Sequence, residues 1–336
     1  MKEKYEKIKD NMILLGDEEY EEQMFHLVRP LLEQKRKTGY FESFDGTKLF
    51  YEYYEHHEEK ATVVISHGFC EFTQKFEEVI FYFFQAGYSV FILDHRGHGY
   101  SERRVEDQSK VHIHSYKEYV QDFYHFIKNI VLKEDNSRKF VLYAHSMGGA
   151  IAALFLEQYR DIFSCAILSS PMLEMDCGNP PTAIVWLVML FKKLIHKEEE
   201  YVSGHGAFDG IPHFTTSSCL SEERYNYIFS KRLQDRNYQT YGGSCGWTLA
   251  SLKAVRKLQK NACRVKTPIL LFQAGKDTTV KPGGQIRFAN KSKHTRLILM
   301  PDSKHEIYNA NVEIRKKYYQ YMFEFIEENL TVTSPS

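Results

Sequence analysis

This 336-residue sequence lacks an excess of either charge, an apolar run of membrane length, and closely spaced cysteines. Lys and Arg number 44 and Asp and Glu number 44, so the formal net charge is zero. A protein built to coat nucleic acid carries a basic surplus, and no zinc-finger, homeodomain or RNA-binding pattern stands in for one here. The longest apolar run, AIVWLVMLF at 183–191, falls short of the roughly 20 residues that cross a bilayer. Cys70, Cys165, Cys177, Cys219, Cys245 and Cys263 include no CxxC pair, which speaks against a zinc site or a redox couple. The amino terminus carries no apolar stretch of signal-peptide length. The expectation is therefore a reduced, cytoplasmic protein with free thiols, with peripheral membrane contact left open.

What is present is a hydrophobic fraction of 43%, enough for a large core. The charge-rich stretch 1–37 reads as an N-terminal extension. Tyr20, Met24, Leu27, Val28 and Leu31 have helical spacing, and Pro30 is expected to kink or stop that helix. Strand and helix signals then alternate. Tyr40–Tyr54 reads as a hairpin about Asp45-Gly46. Thr62–Ser66, Ser89–Leu93, Phe140–Ala144, Cys165–Ser169, Ile269–Gln273 and Arg296–Met300 read as short buried strands. Helices are expected around Phe76–Phe84, closed by Gly87, and around Tyr116–Ile130, opened by a Ser115/Glu118 capping box. Two more are expected from Met147 to Glu157 and near Tyr318–Ile326.

This alternation predicts a mostly parallel, doubly wound α/β sheet. Residues 172–247 break the rhythm and read as a helical cap inserted between two strands. The expected organisation is an extension at 1–37, a core at 38–171 and 248–336, and a cap at 172–247. In open α/β sheets ligands bind at the carboxyl ends of the strands, where such a cap would sit.

One motif at that edge carries chemistry. Ala144-His145-Ser146-Met147-Gly148-Gly149 lies between a strand and a helix, the setting of a G-x-S-x-G nucleophile elbow with alanine in place of the first glycine. A serine on that turn projects its hydroxyl above the sheet. The backbone N–H of Met147 at the helix start then favours an oxyanion. A partner acid and base should follow later strands in the order Ser, Asp, His. Asp277 and His305 do so. His305 would take and return the serine proton, while Asp277 would hold the imidazole. Asp302 competes with Asp277 but lies on the histidine's own loop. A second oxyanion donor should come from the loop after Thr62–Ser66, and Phe69, next to Gly68, is the candidate. Asp94 and Arg96, in the glycine-rich DHRGHGYS at 94–101, read as loop braces. The segment lacks the spacing of a phosphate loop.

HGFCE at 67–71, DHRGHGYS at 94–101, AHSMGGA at 144–150, AGKD at 274–277 and SKHEIYNA at 303–310 resemble the signature blocks of monoacylglycerol lipases and bacterial lysophospholipases. These are serine aminopeptidase S33-like members of the α/β-hydrolase superfamily. The blocks span most of 40–330 in the family's order, and the segments 217–233 and 241–254 resemble the lysophospholipases most. The resemblance implies Ser146, Asp277 and His305 as catalytic residues and Phe69 and Met147 as backbone oxyanion donors. It also implies a lidded pocket for one acyl chain. The expected function is hydrolysis of a monoacyl lipid ester through an acyl-enzyme, with no cofactor, no metal and no nucleic-acid partner. A small-ester carboxylesterase or an aminopeptidase-like hydrolase on the same triad is the alternative; a non-catalytic binding protein of the same fold is the more distant one. The run at 183–191, followed by Lys192 and Lys193, could place an apolar helix face at a membrane or pack it on the core. Head group, acyl length and oligomeric state stay open.

Overall fold

The computed structural model describes residues 6–7, 12–134 and 139–331. At its centre lies one eight-stranded sheet, built from β1 (Arg36–Glu42), β2 (Lys48–Tyr54), β3 (Ala61–Ser66), β4 (Tyr88–Leu93), β5 (Phe140–His145), β6 (Cys165–Ser169), β7 (Ile269–Ala274) and β8 (Thr295–Met300). The spatial order is β1-β2-β4-β3-β5-β6-β7-β8. β2 runs antiparallel to both β1 and β4, and every other pairing is parallel. The Asp45-Gly46 turn joins β1 to β2, with Gly46 at φ 82°. This is the α/β-hydrolase fold.

Why these runs form central strands is visible in their burial. β3, β4, β5 and β6 are buried along their whole length, so neither face could tolerate the polar half of an alternating pattern. Successive residues serve opposite faces. Val64, Leu142, Ala166 and Leu168 enter one core with the helices Lys117–Phe126, Met147–Gln158 and Cys245–Asn261. Val63, Val141, Tyr143 and Ile167 enter the other, with Glu77–Gln85 and Val312–Thr331. Each buried aliphatic side chain contributes about 1.5–3 kcal/mol, and a one-residue register slip would exchange the two faces everywhere.

The charge-rich start of the 1–37 stretch lies largely outside the described residues. From Met12 onward the chain packs on the second core, with Leu14, Leu15, Met24 and Val28 buried. Of the two outcomes expected at Pro30, a kink or a stop, the stop does not occur. Helical structure runs Tyr20–Gln23, Met24–Val28 and Arg29–Lys35, the middle stretch being a π-turn in which Arg29 N–H reaches Met24 O. The wider turn sits just ahead of Pro30, where the missing N–H and the ring clash with the carbonyl four residues back would break a regular helix.

Two buried guanidiniums tie this segment down. Arg224 donates to Glu78 at 2.9 Å and to Asp17 at 2.6 Å; Arg315 donates to Glu78 at 2.7 Å and to the Leu15 carbonyl at 2.7 Å. Arg224 comes from the stretch between β6 and β7, which carries the helices Thr182–Leu194, Glu222–Gln234 and Cys245–Asn261. Ser221 and Ser244 cap the last two by accepting from Arg224 N–H and Trp247 N–H. Residue 247 lies inside the third helix, which thus runs across the expected border at that position. Among the described residues no helix is long and apolar enough to cross a membrane. All six cysteines are free thiols.

Candidate active site

Ser146 stands between β5 and the helix Met147–Gln158 with φ 51° and ψ −116°. Such a backbone costs a non-glycine residue about 1–3 kcal/mol and persists only where its surroundings enforce it. Here its N–H donates to Ser169 O at 3.1 Å, and its carbonyl accepts from Met172 N–H at 2.9 Å and Ala150 N–H at 3.2 Å. β6 and the loop after it therefore hold the turn. The glycine two residues on is a matter of space. A Cβ on Gly148 would stand 2.1 Å from Ser66 O and 2.5 Å from His67 O, because the helix start lies directly on the end of β3.

The loops after β7 and β8 are laced together. Gly275 N–H donates to Met300 O and Lys276 N–H to Ser303 O, each at 2.9 Å. This brings Asp277 beside His305. His305 Nδ1 lies 2.7 Å from Asp277 Oδ2, and His305 Nε2 lies 2.8 Å from Ser146 Oγ. The other Asp277 oxygen accepts from Thr279 N–H at 2.8 Å and Val280 N–H at 3.0 Å. Burial acts to raise the Asp277 pKa, but the His305 hydrogen bond and charge and the two N–H donors outweigh it and hold the carboxyl below its ordinary value. Ser146 and His305 are both buried. Asp302 is exposed and paired with Lys276, away from this chain of bonds.

Phe69 borders the space over Ser146, and Met147 follows Ser146 as the first residue of the helix. Among the described residues neither backbone N–H donates a hydrogen bond within the chain. The cavity over Ser146 is about 240 Å³, with Phe69, Glu71, His145, Tyr241, Thr279 and His305 among its walls. A second cavity of about 230 Å³, with Phe208, Ile211, Ile228 and Phe229 in its walls, shares Lys75, Arg232, Tyr241 and Glu306 with it. Above Phe69 its ring meets Trp247 at 4.1 Å between centroids. Among the described residues no group of three or more His, Cys, Asp or Glu is arranged to hold a metal ion.

Asp94 and Arg96 brace neighbouring loops. Asp94 accepts from Thr73 N–H at 2.7 Å and Tyr100 N–H at 2.9 Å, although burial pushes its pKa up to about 7. Arg96 spans Asp122, Asp45 and Glu118. Sequence reasoning missed a buried charged cluster under the site, formed by Glu71, Lys75 and Glu306. Lys75 Nζ lies 2.8 Å from a carboxylate oxygen of each acid. The only signal in the chain was the Glu71/Lys75 spacing of four.

A family model described as serine aminopeptidase, S33, matches residues 57–311. The chain belongs to this family. Relatives within reach include a probable lysophospholipase L2 of Haemophilus influenzae, 25% identical over 267 residues, which are 80% of this chain and 84% of that one. Lysophospholipase L2 of Escherichia coli K12 is 28% identical over 226 residues, 67% of this chain and 66% of the relative. A monoacylglycerol lipase of Mycolicibacterium smegmatis is 22% identical over 83% of this chain and 93% of its own. Among solved structures, a soluble variant of Saccharomyces cerevisiae monoglyceride lipase superposes with a TM-score of 0.68 at 20% identity, over 88% of this chain and 96% of that one. At that identity the structural likeness carries the fold.

Proposed function

We propose that this family member hydrolyses the carboxylic ester of monoacyl lipids through an acyl-enzyme on Ser146. The observation that carries the reading is the unbroken Asp277–His305–Ser146 hydrogen-bond chain under a serine held at positive φ. His305 Nε2 takes the Ser146 proton as Oγ attacks the acyl carbon. The Phe69 and Met147 N–H groups receive the developing oxyanion, neither of them donating elsewhere among the described residues. His305 returns the proton to the leaving alcohol. Water, deprotonated by the same imidazole, then frees the acid.

The names of the relatives and the aromatic cavity beside the site support a lipid acyl group. An aminopeptidase would need a spare carboxylate for the substrate's ammonium. The two acids lining the cavity, Glu71 and Glu306, are already engaged by Lys75. Residues 172–247 act as the cap, contributing Ser218, Arg232 and Tyr241 to the cavity over Ser146.

The helix Thr182–Leu194 is the proposed point of peripheral membrane contact. Val185, Trp186, Met189 and Leu190 pack inward against Cys245 and Leu249. Ile184, Leu187, Val188, Phe191 and Leu194 stand exposed on the outer face. The test combines fluorophosphonate labelling with a panel of lysophospholipids, monoacylglycerols and short soluble esters. Labelling lost in Ser146→Ala, and kcat/KM rising with acyl length, support the reading. Labelling that survives Ser146→Ala removes it, and a preference for short esters moves it to a carboxylesterase. A Leu187→Glu/Phe191→Glu variant should lose vesicle co-sedimentation while hydrolysing a soluble ester normally.

A further inference from the structure

Glu71 is buried and carries no part of the proton transfer described above. Its two oxygens nevertheless reach the Gly68 loop, the end of the strand that carries Ser146, and the turn that follows His305. Oε2 accepts the Gly68 N–H. Oε1 accepts from Lys75 Nζ at 2.8 Å and from the Tyr308 hydroxyl at 2.7 Å, and lies 3.6 Å from His145 Nε2. Lys75 passes the contact on to Glu306, the neighbour of His305, at 2.8 Å. Glu306 in turn accepts from Asn309 Nδ2 at 2.7 Å.

The Gly68 end of this cluster decides where the Phe69 N–H points. Gly68 is held on both sides: its N–H donates to the Glu71 carboxylate, and its carbonyl accepts from His67 Nδ1 at 2.8 Å and from Glu71 N–H at 3.4 Å. In a planar trans peptide the C=O and the following N–H point in opposite directions. Pinning the Gly68 carbonyl on one side therefore aims the Phe69 N–H to the other, and Phe69 itself lines the cavity over Ser146. The close approach also explains the glycine. A Cβ on residue 68 would stand 2.7 Å from Glu71 Oε2 and 3.1 Å from His145 Cδ2.

We infer that Glu71 is a positioning residue, which sets the direction of the Phe69 donor and couples it to the loop bearing His305. The inference rests on the hydrolase reading proposed above. Charge supports the geometry. Burial acts to raise the Glu71 pKa, but the Lys75 charge and the hydrogen bonds to Lys75 and Tyr308 override it and keep the carboxylate ionised. His145 itself is pushed down to about 4, chiefly by burial, and stays neutral. An ionised acceptor grips an amide N–H more strongly than a neutral one does.

Glu71→Gln tests this. The amide keeps the shape, but one of its two positions becomes an NH₂ donor facing Gly68 N–H or the Lys75 and Tyr308 donors. The expected result is a kcat lowered about 10–100-fold with KM within about threefold, as for loss of a group felt only in the transition state. Inhibition by an alkyl trifluoromethyl ketone, whose adduct with Ser146 carries an oxyanion, should weaken in parallel with kcat. Wild-type protein is labelled with a fluorophosphonate alongside. If the wild type neither labels nor turns over, the hydrolase reading falls. If it does both and Glu71→Gln matches it in kcat and ketone affinity, Glu71 loses its assigned role and the hydrolase reading stands. A loss of activity that only follows the unfolded fraction also overturns the role. Should Glu71→Gln not fold, Tyr308→Phe keeps the ring packed and removes one donor to Glu71. The same split between kcat and KM is then expected at about 3–10-fold, and its absence refutes the role.

Discussion

Replacing Gly148 by alanine tests the elbow more sharply than removing the serine does, because it adds one carbon and deletes nothing. The new Cβ would stand 2.1 Å from Ser66 O, 2.5 Å from His67 O and 2.6 Å from Ser66 C. A carbon–oxygen contact needs about 3.3 Å, so something must move by about 1 Å. Every atom in the way is backbone, and no side chain can turn aside. If the helix start moves, Ser146 and the Met147 N–H move with it. If the end of β3 moves, the Phe69 N–H does. A displacement of about 1 Å at reacting groups costs on the order of 100-fold in rate. Overpacking of this kind costs about 1–3 kcal/mol, and for a chain of this length each kcal/mol lowers Tm by roughly 1.5 °C. The expected variant is folded, with a melting point about 2–4 °C lower and fluorophosphonate labelling slowed on the order of 100-fold. Both are read on one sample, by thermal denaturation and by timed labelling. A Gly148→Ala protein that labels at the wild-type rate with an unchanged Tm would refute the packing argument.

Asp277→Asn should lower kcat by roughly a thousandfold or more while leaving the melting point nearly unchanged, because the amide can hold the imidazole in the wrong tautomer; steady-state kinetics check this. The acid limb of kcat/KM should have a slope of one. Asp277, held below its ordinary value, stays ionised at mildly acid pH, and His145, depressed to about 4, stays neutral there, so neither adds a second proton to that limb; Asp94, pushed up to about 7, is held by loop N–H donors outside the Asp277–His305–Ser146 chain and takes no part in the proton transfer. A slope of two between pH 5 and 7 would contradict that assignment. Arg224→Met should destabilise the fold by about 1–3 kcal/mol, since it removes one of the two guanidiniums that Glu78 and Asp17 share and leaves them to Arg315, and calorimetry checks it. Glu78 is depressed in the folded state, burial being outweighed by the two arginines. Its contribution is therefore full above the ordinary carboxylate value and lost as the pH falls through its lower folded one.

The central strands were legible because burial on both faces leaves short, mostly apolar runs such as 61–66 and 165–169. The elbow was legible for a related reason. A strand that ends in a small-residue turn and leads directly into a helix has few other ways to fold. Asp277 and His305 could be named because each follows its strand by a few residues, and the fold brings His305 to Ser146 and Asp277 to His305. The capping box at Ser115 was read correctly in one half. Ser115 N–H donates to Glu118 Oε1, but Glu118 N–H returns to the Ser115 carbonyl rather than to its hydroxyl. The course of the helix through Pro30 was not legible, since nothing in the spacing announces a π-turn. Nor was the Glu71–Lys75–Glu306 cluster, whose outer members lie far apart in the chain. Taken singly, each has the composition of a solvated surface. Only the fold reveals them as neighbours.

The stacking of Trp247 on Phe69 has a bearing on engineering. The amide proposed to bind the oxyanion and the ring that packs against the adjoining helix belong to one residue, so the proposed roof and reaction chamber share a hinge pin. A chimaera that borrows its roof from another relative would retain all three acting side chains, yet place a foreign surface against residue 69. Such grafts should be cut so that positions 69 and 247 always travel together from the same parent.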